Sequence, residues 1–464
     1  MRFLIATCIV IAAAGTSTAQ VERYELGLRL RAFEKDWDNT PAADARKRAI
    51  APLQQAMKSF FSFNFSSAAK ALDSARRSLD SADNVPFPVR WADALSIQPA
   101  TRFFDREQPE LVVNIKPFYK VEGDVPAKTV LRLTWGNAKP IDVPLSQSTA
   151  SATLQKIPAN GDHILGVEVL IDGKPVVTRS VGISVVELRD ERLKLLKKAA
   201  DAIDMPTTVE QHSLKSLTAL LSNLADKSIY ETDYPAARLL AEAEALLAAI
   251  RKETPYYTRN RAGQFWLTLP TDKTTTPVRL FVPEKLIKGK PVPLLIALHG
   301  MGGSENLFFD GYGDGITRKL CEKHGWLMVS PRVGGALGFG STPPAGAVID
   351  ALSERYPVDP KRIYIVGHSM GAAHTAQVVQ QLGDRLAGAA MLGGGGLMKK
   401  PEAAANVPIY IGCGKADFAL TGATALNAAL EKAKHAKLRF KVYDDIEHLT
   451  IVREAIEDVF LFWK

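Results

Sequence analysis

Ile363-Tyr-Ile-Val-Gly367-His368-Ser369-Met370-Gly371-Ala-Ala-His-Thr-Ala-Gln-Val-Val379 is the stretch that decides how this chain is read. Four residues of β type run directly into Gly-x-Ser-x-Gly, and a helical pattern follows. A turn of this kind holds its serine in a strained conformation at the C-terminal end of a strand. Glycines on either side, here Gly367 and Gly371, let the chain pass close to strand and helix. The serine oxygen then stands above the sheet. The helix N-terminus behind it favours the negative charge that develops there.

Outward from this motif, apolar runs recur at 278–282, 293–298, 326–330, 386–392, 407–411 and 438–443, with helical stretches between most of them. The run at 293–298 is continuously apolar, as a parallel strand buried on both faces should be. The alternation predicts an α/β fold over 256–464, an open sheet that is mostly parallel, with helices on both faces.

A serine hydroxyl needs a base, and the base needs an orienting acid. The chain has 8 histidines. His163 and His212 lie outside the α/β region. His368 sits inside the elbow and is poorly placed to turn back on its neighbour. His374 follows along the next helix, His324 and His435 read as helix-end residues, and His299 ends a buried strand. His448 remains, after the last strand, where a loop should cross the sheet edge. The acid is sought between serine and histidine. Asp417, just after the penultimate strand, is the leading candidate. Asp444, Asp445 and Glu447 are rivals very near His448 in sequence, and Asp384 falls at the wrong end of a strand. On the electrophilic side, His299-Gly300-Met301-Gly302-Gly303 follows a buried strand. Its glycines let N–H groups turn toward a carbonyl oxygen. The N–H groups of Met301 and Met370 together would form an oxyanion hole. No Cys/His pattern has zinc spacing, so neither a metal nor a cofactor is expected.

With these residues in view, about 205 residues at the C-terminus resemble the secreted α/β-hydrolases grouped with poly(hydroxyalkanoate) depolymerases and feruloyl or acetylxylan esterases. They are also similar to prolyl-oligopeptidase-type catalytic domains. The matching residues are 298–300, the run 356–371 through the elbow, 414–417 and His448. The resemblance implies a Ser369–His448–Asp417 triad. Ala372 departs from it, where many relatives carry a third glycine. No propeller-like repeat precedes the domain, which weakens the peptidase reading. The expected activity is cleavage of a small-molecule or polymer-linked carboxylic ester. The alternatives are a serine peptidase of the prolyl-oligopeptidase type and a binding module with an inactive hydrolase fold. Only about ten residues join 396 to 407, so no large lid is expected there. A loop at 333–346 would border an open site.

The remaining chain divides by composition. Residues 1–19 read as a signal peptide: Arg2, an apolar run too short to span a bilayer, and a small-residue exit with Ser17 and Ala19. Export to the periplasm or beyond is therefore expected, with no later membrane span. Residues 20–85 are helical in pattern, with Thr40-Pro41 as a helix start and Pro52 as a break. Residues 86–187 show short β runs and an Asp172-Gly173 hairpin signal, predicting a small β-sandwich of immunoglobulin-like type. Residues 188–255 are helical again, and the two helical zones would pack around the sandwich. The sandwich either contacts polysaccharide or supports the enzyme. Its aromatics Trp91, Phe103, Phe104, Phe118, Tyr119 and Trp135 read better as core.

The chain has 464 residues, of which 46% are hydrophobic and 23% charged, too apolar for a disordered chain. Its net charge of +8 is dispersed, with 24 Lys/Arg against 19 Asp/Glu over 260–464, and this argues against a nucleic-acid partner. After removal of Cys8 with the signal, Cys321 and Cys413 remain, read as buried apolar filler.

Overall fold

The computed structural model describes residues 17–464 apart from 82–83, 109, 137, 155–157, 229, 272–274, 285, 287–289 and 334–341. The signal-peptide reading of 1–19 thus lies outside the described residues but for its last three, which open the first helix. Most of the 333–346 loop lies outside them too.

Three helices come first: α1 (Ser17–Asp38), α2 (Ala43–Phe61) and α3 (Phe65–Asp80). The expected start at Thr40-Pro41 falls short, because α2 begins at Ala43. The expected break at Pro52 does not occur either. Pro52 leaves one carbonyl without its helical donor, but Ala49, Leu53 and Ala56 on either side are fully packed and hold the helix together. Asn64 caps α3 by accepting the Ser67 N–H at 3.1 Å.

A short helix, α4 (Phe87–Asp93), opens the β-rich stretch. The strands are β1 (Leu95–Pro99), β2 (Phe103–Asp105), β3 (Leu111–Pro117), β4 (Thr129–Trp135), β5 (Ile141–Pro144), β6 (Ala150–Leu154), β7 (Gly161–Ile171) and β8 (Lys174–Val186). They form a three-stranded sheet, β1-β3-β6, and a five-stranded sheet, β2-β8-β7-β4-β5. The β7–β8 turn places Asp172 and Gly173 at φ +50° and +74°, as a two-residue hairpin of this twist requires. Alternating residues of both sheets share one core. Trp91, Phe104 and Trp135 lie in it, Phe103 is buried in the neighbouring core, and Tyr24 and Leu28 of α1 close the sandwich core from outside.

Three more helices follow, α5 (Arg189–Asp201), α6 (Val209–Ala225) and α7 (Ala236–Arg251). The C-terminal region is then β9 (Gly263–Pro270), β10 (Thr275–Val282), β11 (Val292–Leu298), α8 (Ile316–His324), β12 (Leu327–Pro331), α9 (Ala345–Ser353), β13 (Val358–His368), α10 (Met370–Leu382), β14 (Gly388–Leu392), β15 (Ile409–Gly414), α11 (Leu420–Lys432), β16 (Leu438–Tyr443) and α12 (Ile451–Trp463). Eight strands make one sheet in the order β16-β15-β14-β13-β11-β12-β10-β9. It is parallel from β16 to β12, and the β9–β10 hairpin adds two antiparallel strands at one edge.

Both faces of this sheet are covered, which is why β11 is apolar at every position. Leu294, Ile296 and Leu298 face one core, shared with α5–α7, α9, α10 and α11. Leu295 and Ala297 face the other, shared with α1–α3, α8 and α12. The two helical zones therefore do not wrap the sandwich together, as the sequence led us to expect. They take opposite faces of the large sheet. Periodicity shows that a helix has an apolar face; the partner of that face is decided by the rest of the chain.

Candidate active site

β13 ends at His368, α10 begins at Met370, and Ser369 between them sits at φ +56°, ψ −115°. A non-glycine residue with positive φ outside the left-handed helical well is strained and persists only when its surroundings over-determine it. Here they do. A Cβ at Gly367 would lie 2.0 Å from the Gly371 carbonyl oxygen, and one at Gly371 would lie 2.0 Å from that of Leu298. Both elbow glycines are thus required by the closeness of strand and helix. The Ser369 N–H is held by the Leu392 carbonyl at 2.9 Å.

Asp417 lies in the turn after β15 and His448 in the turn after β16. Parallel neighbours deliver both turns to one sheet edge, and Ala416 N–H to Ile446 carbonyl (3.1 Å) ties them together. His448 Nδ1 donates to Asp417 Oδ1 at 2.9 Å, and the same oxygen accepts the Ala419 N–H at 2.8 Å. Burial alone would raise the Asp417 carboxyl. The hydrogen bond and charge of His448, with the Ala419 N–H, outweigh it and hold Asp417 below its usual value. With Nδ1 engaged, Nε2 of His448 is free to take a proton. Ser369, His368 and His448 line one cavity together with Gly300, Met301, Gly302 and Gly303. Among the described residues, no hydrogen-bond acceptor takes the N–H of Met301 or Met370.

The rivals fall elsewhere. Asp444 pairs with Lys415, and Asp445 is a turn residue at φ +53°. Glu447 is buried and accepts the Leu449 N–H at 2.9 Å; burial pushes its carboxyl up to about 7.

His299 is buried and acts as a staple. Its Nε2 accepts the Val333 N–H at 3.0 Å, so its proton is on Nδ1, which donates to the Gly300 carbonyl at 2.8 Å. His368 has a similar logic. Its Nε2 meets the His448 carbonyl at 3.1 Å and must donate, so Nδ1 accepts from the Tyr312 hydroxyl at 2.8 Å. That hydroxyl in turn accepts the Gly300 N–H at 3.2 Å. One chain of hydrogen bonds therefore links the Gly300–Gly303 loop, the elbow and the turn that carries His448. Burial, with the neighbouring His448 adding to it, pushes the His368 imidazole down to about 3, so it stays neutral as this network demands. Tyr312 carries no motif and was not legible in the sequence. A second anchor is the buried Glu305, whose carboxylate takes a two-pronged pair from Arg332 and a hydrogen bond from Tyr234 at 3.1 Å.

Part of the site's wall comes from outside the α/β region, which the sequence did not lead us to expect. Met57, Phe60 and Phe61 of α2, Leu26 and Leu30 of α1 and Leu72 of α3 line the cavity from above. Among the described residues, the N-terminal helices and not an insertion within the α/β region supply this part of the wall.

Residues 341–457 match the Dienelactone hydrolase family, a stretch that contains Ser369, Asp417 and His448. The chain is 28% identical over 141 residues to the bifunctional acetylxylan esterase/xylanase XynS20E of Neocallimastix patriciarum, which covers 29% of this chain and 20% of that protein. The chain thus spans about a fifth of the length of that relative. Among solved structures, it is similar to the S-formylglutathione hydrolase FrmB of Staphylococcus aureus at 16% identity and a TM-score of 0.37, over 44% of this chain and 99% of that one. It is also similar to the feruloyl esterase module of Clostridium thermocellum at 15% identity and a TM-score of 0.38, over 45% and 92%. Sheet order, elbow and family match together give the C-terminal region the α/β-hydrolase fold.

Proposed function

We propose that this protein is a serine hydrolase that cleaves carboxylic esters through an acyl-enzyme on Ser369. The observation that carries the reading is the convergence of a strained elbow serine and an Asp417-held histidine on one cavity whose other wall is the Gly300–Gly303 loop. In the first half-reaction Ser369 Oγ attacks the ester carbonyl and its proton passes to His448 Nε2. The carbonyl oxygen, now negative, is met by the Met301 and Met370 N–H groups. His448 returns the proton to the departing alkoxide, which leaves as the alcohol. In the second half, water loses a proton to His448 and attacks the acyl carbon. The acid departs and Ser369 recovers its hydrogen. Asp417 fixes the tautomer and steadies the imidazolium without itself accepting the proton.

The esters we infer are those of bulky or polysaccharide-linked alcohols. The acetylxylan esterase/xylanase relative supports this, and export by the N-terminal segment, as its sequence leads us to expect, would fit it. Among the described residues no helix is long and apolar enough to cross a membrane. The aromatics of the sandwich are largely buried, which favours a supporting role for it over a sugar platform.

The test is hydrolysis of p-nitrophenyl acetate together with labelling by a fluorophosphonate, for the full chain and for Ser369→Ala. Turnover and labelling that both vanish in the variant are expected. Labelling without ester turnover would move the reading to a peptidase. Neither signal in the parent protein would leave a hydrolase fold used for binding.

A further inference from the structure

The geometry points to the N-terminal helices α1–α3 as the wall of an acyl pocket, one that selects esters of apolar acids larger than acetate. This rests on the esterase reading above and adds the part of the substrate that the chain encloses. The cavity beside Ser369 measures about 150 Å³. Its wall is predominantly apolar, with Leu26, Met57, Phe60 and Leu72 from the helices facing Leu307 and Tyr312 from the segment after β11. A cavity of about this size lined by Leu and Phe accepts a guest of roughly six carbons, such as one benzene ring.

The helices are fitted to the catalytic loops as well as to the core. The Phe60 ring lies against Gly302, where a Cβ would sit 2.8 Å from it. Arg23 of α1 donates to the Gly302 carbonyl. Gln54 of α2 donates to the Ala416 carbonyl at 2.8 Å, and Phe61 packs edge-on against Phe418 at 5.5 Å, which in turn lies on His448 at 4.4 Å. The cover is thus joined to the oxyanion loop and to the loop of the acid. An apolar wall beside the serine suits the group that stays on the enzyme between the two half-reactions. The alcohol must leave and water must enter, so their side of the serine has to be the open one. Acyl carbons beyond the first two would replace water against Met57 and Phe60, and each methylene held this way is worth roughly tenfold in discrimination.

The experiment measures kcat/KM of the full chain for p-nitrophenyl acetate, butanoate, hexanoate and decanoate, and for acetates of a matched series of alcohols. We expect a rise from acetate to hexanoate and a fall at decanoate. Ala56→Leu, which adds bulk at a buried wall position, should lower the hexanoate-to-acetate ratio about tenfold, and Phe60→Ala should move the optimum to a longer chain. A flat acyl profile in protein that labels fully with fluorophosphonate would overturn the proposal, and so would a shift confined to the alcohol series. Calorimetric titration of Ser369→Ala with methyl hexanoate and methyl acetate reads the pocket without turnover. Tighter binding of the hexanoate, lost in Ser369→Ala/Ala56→Leu, is expected, and equal binding would sink the pocket even if the esterase stands. Should the parent protein show neither labelling nor turnover, the esterase reading fails by itself and this titration still decides the pocket.

Discussion

His368 holds the neighbours of Ser369 and takes no proton itself, and the Tyr312 hydroxyl completes its role. Tyr312→Phe removes a group that both accepts the Gly300 N–H and donates to His368. Leaving two buried partners unmatched costs about 1–3 kcal/mol. We expect a lower midpoint in urea together with a kcat reduced about tenfold and a KM little changed, since phenylalanine keeps the ring in the cavity wall and only the hydrogen bonds that steady the Gly300–Gly303 loop are lost. Asp417→Asn should cost about 10⁴-fold in kcat by presenting the wrong tautomer of His448, with folding intact by circular dichroism. Glu447 gives a pH signature. Its folded pKa of about 7 lies above the unfolded value of about 4.3, so the unfolded chain loses this proton first. The stability present below pH 4 is lost as pH rises through 7. Thermal melts of Glu447→Gln against the parent should therefore diverge in favour of the variant from pH 5 to pH 8. Ser369, His448 and Asp417 were legible because strand ends and motif spacing mark them. Tyr312 was not, because it sits in irregular turns over Leu307–Gly311 and Tyr312–Gly315, where no period or spacing singles it out.

At the level of elements, the strands of the large sheet were read from their apolar runs, except β9. Its sequence, Gly263–Pro270, lies at the sheet edge beside the antiparallel β10 and carries no βα rhythm. The helices were read as helices but assigned the wrong neighbours. Helix α1 illustrates why. It places Tyr24 and Leu28 in the sandwich core and Leu26, Phe33 and Trp37 in the core of the large sheet, so two apolar stripes compete in one pattern. Between them runs a buried charged seam in which Arg29 pairs with Glu25 and, at 2.8 Å, with Asp73. Such a seam reads as solvent-facing until the fold is known. Trp37 is fully buried and donates to Glu454 at 2.9 Å. Trp37→Ala should destabilise by about 3–5 kcal/mol in urea. It should also weaken ester turnover, because the helix that falls loose is part of the site's cover.

Across the whole molecule, the large sheet separates two cores, and the two described cysteines lie on opposite sides of it. Cys321 of α8 belongs to the core under α1–α3, and Cys413 of β15 to the core under α5–α7. Both are free and buried, and burial raises both thiols above their ordinary values. A reducing agent should leave the melting temperature unchanged, and maleimide should not react until the protein is unfolded; mass spectrometry before and after denaturation reads this directly. The same architecture brings the first helix to the last. Trp37 meets Glu454 across 417 positions of sequence, and Arg453 pairs with Asp38 at 2.6 Å. A chain emerging from the ribosome therefore makes α1–α3 of the cavity wall well before the turn that carries His448. On the proposed reading, no ester is cleaved until α12 has docked. Such a protein would stay silent throughout synthesis, and any activity of the site would switch on only with the closing of the fold.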